Sequence, residues 1–490
     1  MQKISFFLST LFLVALLAGC NKANDRGHIY IISTNDIHAT IDAMPQLATI
    51  VKEYEAKGEV ILVDSGDRVT GNAYVDDATE PGIPIIELMN EVGYDVATLG
   101  NHEFDKGRDV LYAMLEASDF EWVCSNMTDL TGDTRIKPYT TITIEGIELC
   151  FAGVVDTDGG GHPLGGESSY VDFSFTRDID TAYELCATLP ESDFVVLLSH
   201  MGLDVDRRLA ERGTTYDWIV GGHSHDICGE YVNNTYISQN NKNIRYVTVA
   251  DITYHKGAIE SVKYEQLKMA DKATDKEVAT MVAQIKLSDP ELNTVEAIAL
   301  SPATKEGVSN FTIDALATYP YPEDFVPEIT FYHYGGVRID GFAGDIKRVD
   351  ILNNDPFIST IYIGEMTPAE IERFILEKYN NGTPENPDKE SHYPYFRSDL
   401  EYTILLEDEP SEDPDAIDII HNLEPRSYRV AMCNYVAENY IDKDLVASHL
   451  HNTGITVREA MLRYARTFGK EDYTPDNECH QHEVRASELK

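Results

Sequence analysis

Seven side chains able to bind a divalent cation recur along the first half of the chain, each just after an apolar run. Asp36 and His38 follow Ile29-Tyr30-Ile31-Ile32, and Asp67 follows Val60-Ile61-Leu62-Val63. Asn101 follows Val96-Ala97-Thr98-Leu99, His200 follows Val195-Val196-Leu197-Leu198, and His223 and His225 follow Trp218-Ile219-Val220. Imidazole and carboxylate together suit Zn²⁺, Mn²⁺ and Fe²⁺. Asp67 has two oxygens and could bridge two ions, and Asn101 adds a neutral carbonyl oxygen. Seven ligands therefore fit two metals that share Asp67. Two cations outweigh two carboxylates, so the site keeps a positive field suited to phosphate. Paired metals about 3.5–4 Å apart clamp the attacking and leaving oxygens of an in-line displacement and generate hydroxide near neutral pH. His102, beside Asn101, is then free to stabilise phosphoryl charge or to protonate the leaving oxygen, and Asp105 could orient it. One strand-end Asp is commonly a turn residue and a lone His is commonly structural. The ordered series carries the metal reading.

Such a series needs a scaffold that brings strand ends to one edge. His28 to Thr34, Glu59 to Val63, Val96 to Leu99, Phe194 to Leu198 and Asp217 to Val220 read as strands. Asp36 and His38 are two apart, so both point to one side if the first strand runs through them. Leu47, Ile50, Val51 and Tyr54 recur at helical spacing before Gly58. Pro84 to Asn90, with Pro near the first turn, and Asp109 to Ala117 are two more helices. This alternation predicts a mainly parallel sheet with helices on its faces, and open α/β sheets bind ligands at the carboxyl edge. Thr140 to Leu149 predicts a second sheet or a hairpin. The glycine-rich stretch Asp156 to Gly166 lacks the spacing of a nucleotide fingerprint and reads as a surface loop with a solvated His162. Val278, Met281, Val282 and Ile285 make Lys268 to Leu287 a connecting helix, or equally a core helix of either domain. Beyond it, strands such as Ile329 to Tyr332 mix with helices such as Pro368 to Tyr379, and Asp408 to Asp418 is a solvated acidic loop.

With 490 residues, two domains are expected. The net charge of −45 argues against a nucleic-acid polymer as partner, because a phosphate backbone needs Lys and Arg to displace its counterions. It does not exclude a small phosphate ester, since bound divalent cations invert the local field. Lys3 and the apolar run from Ile4 to Leu17 read as an export signal, too short for a comfortable membrane span. Its ending, Leu17-Ala18-Gly19-Cys20, resembles a bacterial lipoprotein signal in which Cys20 bears the lipid. The other six cysteines, Cys124, Cys150, Cys186, Cys228, Cys433 and Cys479, are scattered without a C-x-x-C pair, which argues against a cysteine zinc site. Their pairing is not legible from spacing, and buried free thiols are an equal reading.

Asp36-x-His38, Gly66-Asp67-x-x-x-Gly71, Gly100-Asn101-His102-Glu103, Ser199-His200-x-Gly202 and Gly221-Gly222-His223-Ser224-His225 resemble the dimetal metallophosphoesterases. Leu88-Met89-Asn90, Gly93-Tyr94-Asp95 and Thr98 to Asp105 look like the exported 5′-nucleotidase branch. Ala39 departs from the Gly usual in that family after the first His. The second half is similar to that branch's C-terminal substrate domain. Gly335-Gly336-Val337-Arg338 matches its Gly-Gly-Ile-Arg motif, which implies that Arg338 binds substrate phosphate. Gly344-Asp345-Ile346 and Asp355-Pro356-Phe357 follow in the family's order. The stretches around Phe396 and around Asn434-Tyr435 resemble those bearing the two base-stacking aromatics. Where the family has a Gly-Gly-Asp-Gly turn that contacts ribose, this chain has Ala437-Glu438-Asn439-Tyr440.

The expectation is thus an α/β protein, with a four-layer α/β/β/α metallophosphoesterase domain and a smaller α/β substrate domain. The segments are a lipoprotein signal (1–20), a tether (21–27), the catalytic domain (28–266), a connecting helix (267–294) and the C-terminal domain (295–490). The expected site comprises metal ligands Asp36, His38, Asp67, Asn101, His200, His223 and His225. His102 and Asp105 are its catalytic pair, and Arg338, Phe396, Asn434 and Tyr435 are its substrate contacts. Its cofactors are two divalent ions drawn from Mn, Zn, Co or Fe. The expected activity is a 5′-nucleotidase, lipid-anchored in the bacterial cell envelope on the periplasmic or outer-membrane side. One alternative is a phosphodiesterase acting on nucleotide sugars or 2′,3′-cyclic nucleotides. Another is a surface nucleotide-binding lipoprotein without catalysis.

Overall fold

The computed structural model describes residues 26–158, 160–165, 167–380, 402–408, 416–440, 449–468, 472–478 and 482–489. Cys20, Phe396 and Cys479, singled out from the sequence, lie outside them.

Strict alternation along the first strand, Arg26–Thr34, decides the layering. Ile29 and Ile31 point to one face while Tyr30 and Ile32 point to the other, and all four are buried. A strand buried on both faces needs a layer on each side. Arg26–Thr34 runs parallel to Glu59–Asp64, which is followed by Val96–Thr98, Glu121–Val123 and Ile136–Lys137. Tyr246–His255 and Ala258–Lys268 complete this seven-stranded sheet in antiparallel sense. A second sheet has six strands in the order Ile227–Val232, Thr235–Asn240, Trp218–Gly221, Phe194–His200, Ile147–Val155 and Tyr139–Ile144. The expected hairpin is its outer edge, Tyr139–Ile144 against Ile147–Val155, turning through Glu145 and Gly146 at positive φ.

The two sheets stack through Ile29, Ile31, Ile61 and Val63 of the first and Phe151, Val196, Leu198 and Trp218 of the second. The far face of the first sheet, with Ile32 and Leu62, packs on helices Met44–Glu55, Ile83–Val92 and Arg108–Ala117. The far face of the second, with Leu197 and Ile219, packs on Asp178–Leu185 and Leu203–Glu211. The result is the expected α/β/β/α sandwich. Helix Lys276–Ser288 belongs to its first outer layer, because Val278 and Val282 join the same core. The sequence left this open, since the helix's spacing fixes an apolar face but not the face it meets.

The remaining residues build around one further core that includes Phe311, Phe331, Ile363 and Val430. Its central sheet orders Ile329–Phe331, Tyr428–Cys433, Thr360–Met366 and Leu450–Thr456. This smaller α/β unit is fixed to the sandwich by hydrogen bonds from Ala73 N to Asn353 Oδ1 (2.7 Å) and from Tyr74 Oη to Asn293 Oδ1 (2.7 Å). An Arg458–Asp77 ion pair (2.7 Å) adds to them. Five cysteines among the described residues, Cys124, Cys150, Cys186, Cys228 and Cys433, are free thiols.

Candidate metal centre

The first strand does not run through Asp36 and His38. It stops at Thr34, and Asp36, His38 and Ala39 all take left-handed φ of 49°, 46° and 54°. Asp67 (57°), Thr70 (65°), His223 (76°) and His225 (60°) do the same. Asp36, His38, Asp67, His223 and His225 therefore ride on left-handed turns beyond the strand ends, while His200 is the last residue of its strand and Asn101 is right-handed. The expectation of strand alternation through Asp36 and His38 is corrected. The reason is geometric. Strand side chains stand perpendicular to the sheet, whereas a metal above the sheet edge needs donors aimed along the strand axis. Left-handed turns re-aim them. The turns are tied together by Asp36 N to Gly66 O (3.0 Å), His38 N to Asp67 O (2.9 Å) and Ala39 N to Arg68 O (2.8 Å). They also explain why a Gly would suit position 39.

All seven expected ligands converge. Asp36, His38 and His225 bring ligand atoms within 4.8 Å of one another, and so do Asp67, His200 and His223. Asn101 Oδ1 lies 3.0 Å from His223 Nδ1. A third grouping, His38, Asp67 and His102, joins the first two. Asp36, His38, Asp67, Asn101 and His200 are all buried.

The hydrogen bonds settle which nitrogens face inward. His38 Nδ1 lies 3.0 Å from Thr70 O, and His200 Nδ1 lies 2.7 Å from Ser65 O. A carbonyl only accepts, so each Nδ1 carries the proton and each Nε2 turns a lone pair inward. His38 Nε2 then faces His225 Nε2 at 3.0 Å. His200 Nε2 lies 3.0 Å from an Asp67 oxygen, buried and without a hydrogen-bond partner. Lone pairs aimed at each other and at a carboxylate repel unless a cation or a proton intervenes. This donor set therefore fits divalent cations.

Protons do this work when no cation is bound. Burial lowers the basicity of the His200 imidazole, but the Asp67 carboxylate outweighs it and lifts His200 to about 10. Burial holds His225 down to about 4 against the pull of Asp36, and it holds His38 well below the usual imidazole range. Burial also opposes charge on Asp36, yet His225 and His200 bring that carboxyl to about 2. A cation entering beside His200 must displace a proton. Metal binding at pH 7.5 is thus expected to release about one proton per protein, and apparent affinity is expected to climb with pH until His200 has titrated. Calorimetric titration in two buffers of different ionisation enthalpy measures the release. Identical heats in both would show that His200 carries no extra proton in the metal-free site.

His102 and Asp105 form the expected pair, Nδ1 to Oδ2 at 2.7 Å. Burial lowers the His102 imidazole, but Asp67 and Asp105 raise it to about 9. His102 Nε2 lies 3.8 Å from Asp67 Oδ2, so its free nitrogen faces the ligands. From the smaller unit, Phe357 approaches within 5.9 Å of the His102 ring, and Arg338 lies 5.4 Å from the Phe357 ring. Burial lowers the Arg338 guanidinium while Asp67 and Asp105 support it, which places it in the field of the same carboxylates. Tyr435 is 40% exposed and stacks on His333 at 4.5 Å. Asn434 Oδ1 accepts the Thr360 N–H at 3.1 Å, a contact within the smaller unit. In place of the family's glycine turn, residues 437–440 continue helix Asn434–Tyr440.

Sequence reasoning gave Glu103 no role. It is buried, and its carboxylate accepts N–H groups from Asp67 (3.0 Å), Arg68 (2.9 Å) and Gly100 (2.5 Å). It thereby joins the Asp67 turn to the Asn101 turn. Gly100 is required here, because a Cβ would collide with the Asp67 carboxylate. The signal was the acidic residue two after Asn101, in a segment with no other reason to bury a charge. His162 also departs from expectation. It stacks on Tyr170 with ring centroids 4.6 Å apart and is not simply solvated.

Imidazoles, carboxylates and an amide thus converge above the adjacent ends of two stacked sheets, a donor set suited to divalent cations. Residues 29–226 match the calcineurin-like phosphoesterase family, and residues 283–442 match the 5′-nucleotidase C-terminal domain. The chain thus carries a calcineurin-like phosphoesterase domain followed by a 5′-nucleotidase C-terminal domain, the pairing of a metal-dependent phosphoester hydrolase. It is 25% identical over 475 residues to the trifunctional nucleotide phosphoesterase protein YfkN of Bacillus subtilis, covering 83% of this chain and 31% of that one. This chain therefore spans about a third of that relative's length. It is 25% identical over 442 residues to a 5′-nucleotidase of Vibrio vulnificus, covering 74% of this chain and 79% of that one. The crystal structure of a 5′-nucleotidase precursor from Thermus thermophilus has the same fold, with a TM-score of 0.75 at 18% identity, covering 93% of this chain and 99% of that one.

Proposed function

We propose that this protein is a two-metal phosphomonoesterase, and specifically a 5′-nucleotidase that releases phosphate and nucleoside from nucleoside monophosphates. One observation carries the reading. Two groups of candidate ligands lie side by side, joined by the grouping of His38, Asp67 and His102, and His102 with Asp105 stands beside them near Arg338 and Phe357 of the smaller unit. One group is Asp36, His38 and His225, and the other is Asp67, His200 and His223 with Asn101 beside them. When bound, divalent cations (Mn, Zn, Co or Fe) supply Lewis acidity and charge neutralisation for phosphoryl transfer. Arg338 pairs with phosphoryl oxygens, and its forked donors suit them. His102 gives a proton from Nε2 to the leaving oxygen while Asp105 holds its Nδ1–H. Tyr435 offers a ring face to a base, as does Phe396 by its place in the sequence. The names of the relatives, a nucleotide phosphoesterase and a 5′-nucleotidase, support nucleotides as the substrate class.

The test is phosphate release with Mn²⁺ from AMP, dAMP, glycerol phosphate and a bis(p-nitrophenyl) diester. AMP should exceed glycerol phosphate in kcat/KM by about ten- to a hundredfold, the worth of one stacked base. With no glycine turn to grip ribose, dAMP should be close to AMP. Preference for the diester would favour the phosphodiesterase reading, and no turnover at all would favour a binding protein.

The sequence Leu17-Ala18-Gly19-Cys20 supports a further element of the proposal, a lipid on Cys20 that anchors the enzyme in the cell envelope. Cells fed an alkyne fatty acid should label the wild type and not Cys20→Ser. Equal labelling of both would remove the anchor.

A further inference from the structure

We propose that Thr70 is a positioning residue that ties a metal-binding imidazole to the catalytic dyad. This rests on the phosphomonoesterase reading above. Thr70 is buried and takes a φ of 65°, a conformation that β-branched residues almost never adopt. The turn is held there by Asp76, whose carboxylate accepts the N–H groups of Thr70 (2.9 Å), Gly71 (2.7 Å) and Asn72 (2.8 Å). A side chain on Gly71 would collide with the His38 carbonyl, so the turn lies flush against His38.

In this conformation Thr70 makes two contacts in opposite directions. Its carbonyl accepts from His38 Nδ1 at 3.0 Å and so fixes the tautomer that turns His38 Nε2 to the metal. Its hydroxyl donates to Asp105 Oδ2 at 2.8 Å, the oxygen that also takes the His102 Nδ1–H at 2.7 Å. The two imidazoles stand 5.2 Å apart, edge to face. Gly or Asn would satisfy the backbone with less strain. Gly would supply the carbonyl but no hydroxyl, and Asn an amide of different reach. Threonine at a strained position is explained if the hydroxyl is needed to hold the Asp105 carboxylate, and through it the His102 ring, at a set angle to the metal ligands.

Thr70→Val keeps the shape and removes the hydroxyl. We expect kcat on AMP to fall about ten- to a hundredfold, the usual worth of a hydrogen bond to a charged group. KM and bound metal should stay within about twofold, and Thr70→Ser should restore most of the rate. The loss should be smaller on p-nitrophenyl phosphate, whose leaving group needs no proton. In metal-free protein carrying ¹⁵N-histidine, the His102 Nδ1–H resonance should broaden or shift in Thr70→Val and persist in Thr70→Ser. If Thr70→Val does not fold, Thr70→Gly removes the hydroxyl while relieving the backbone and serves the same comparison. Equal losses on the two esters, loss of metal, or an unchanged His102 resonance would each overturn the proposal. A wild type inactive on both esters would instead overturn the phosphomonoesterase reading, and the resonance would still judge Thr70.

Discussion

Asp67→Ala is expected to empty the metal centre and abolish phosphate release. Asp67 Oδ2 lies 3.0 Å from His200 Nε2, and Oδ1 accepts the His102 N–H at 2.9 Å. Both ligand groupings that contain Asp67 would lose their only carboxylate. His200 would also lose the partner that keeps its buried charge tolerable. Removing one member of a buried ion pair typically costs about 3–5 kcal/mol, so the metal-free variant should also melt well below the wild type. Metal analysis by mass spectrometry, phosphate release from AMP and a thermal melt check the three parts. A variant that retains a full complement of metal would show that Asp67 is not a ligand.

His102→Ala should give the opposite combination. Its Nδ1 is engaged by Asp105 at 2.7 Å, and its Nε2 stands 3.8 Å from Asp67. Its Nε2 is therefore not engaged by Asp105 and faces the candidate ligands. A positioned acid or base contributes about 10²–10⁴-fold, so turnover should fall by that range while bound metal is unchanged. The His38, Asp67 and His102 grouping makes this a sharp test. If His102→Ala loses metal along with activity, the imidazole is a ligand and the proton donor must be sought elsewhere.

The sandwich and the meeting of the seven candidate ligands were legible because both rest on short-range patterns. Runs such as Ile29 to Ile32 declare a strand buried on two faces, and chemistry placed after each run declares one edge. The aim of the side chains was not legible. Asp36 and His38 two apart read as strand neighbours, but a run of left-handed residues reverses that reading, and such φ values are unusual for non-glycine residues. Ala39, also left-handed at 54°, stands where the resemblance read from the sequence implies a glycine. Glu103 and Thr70 were invisible for a second reason. Each acts on partners some 35 residues or so away in sequence, through Asp67 N and Arg68 N for one and His38 and Asp105 for the other. The Tyr435–His333 stack likewise joins two distant segments, so a pattern within either segment cannot report it.

The backbone bonds that link the Asp36 and Asp67 turns extend the pairing of the two central strands past their ends. The last paired residues, Thr34 and Asp64, lead straight into Ser65 N to Thr34 O, Asp36 N to Gly66 O and His38 N to Asp67 O. The chelating turns are thus not an independent cooperative unit. Amide exchange at Asp36 and His38 is accordingly expected to track opening of the central strands and not local fluctuation of the turns. Metal bound at these turns accordingly stabilises the whole sandwich by mass action, so a molecule that lost its ions would become easier to proteolyse far from the site itself.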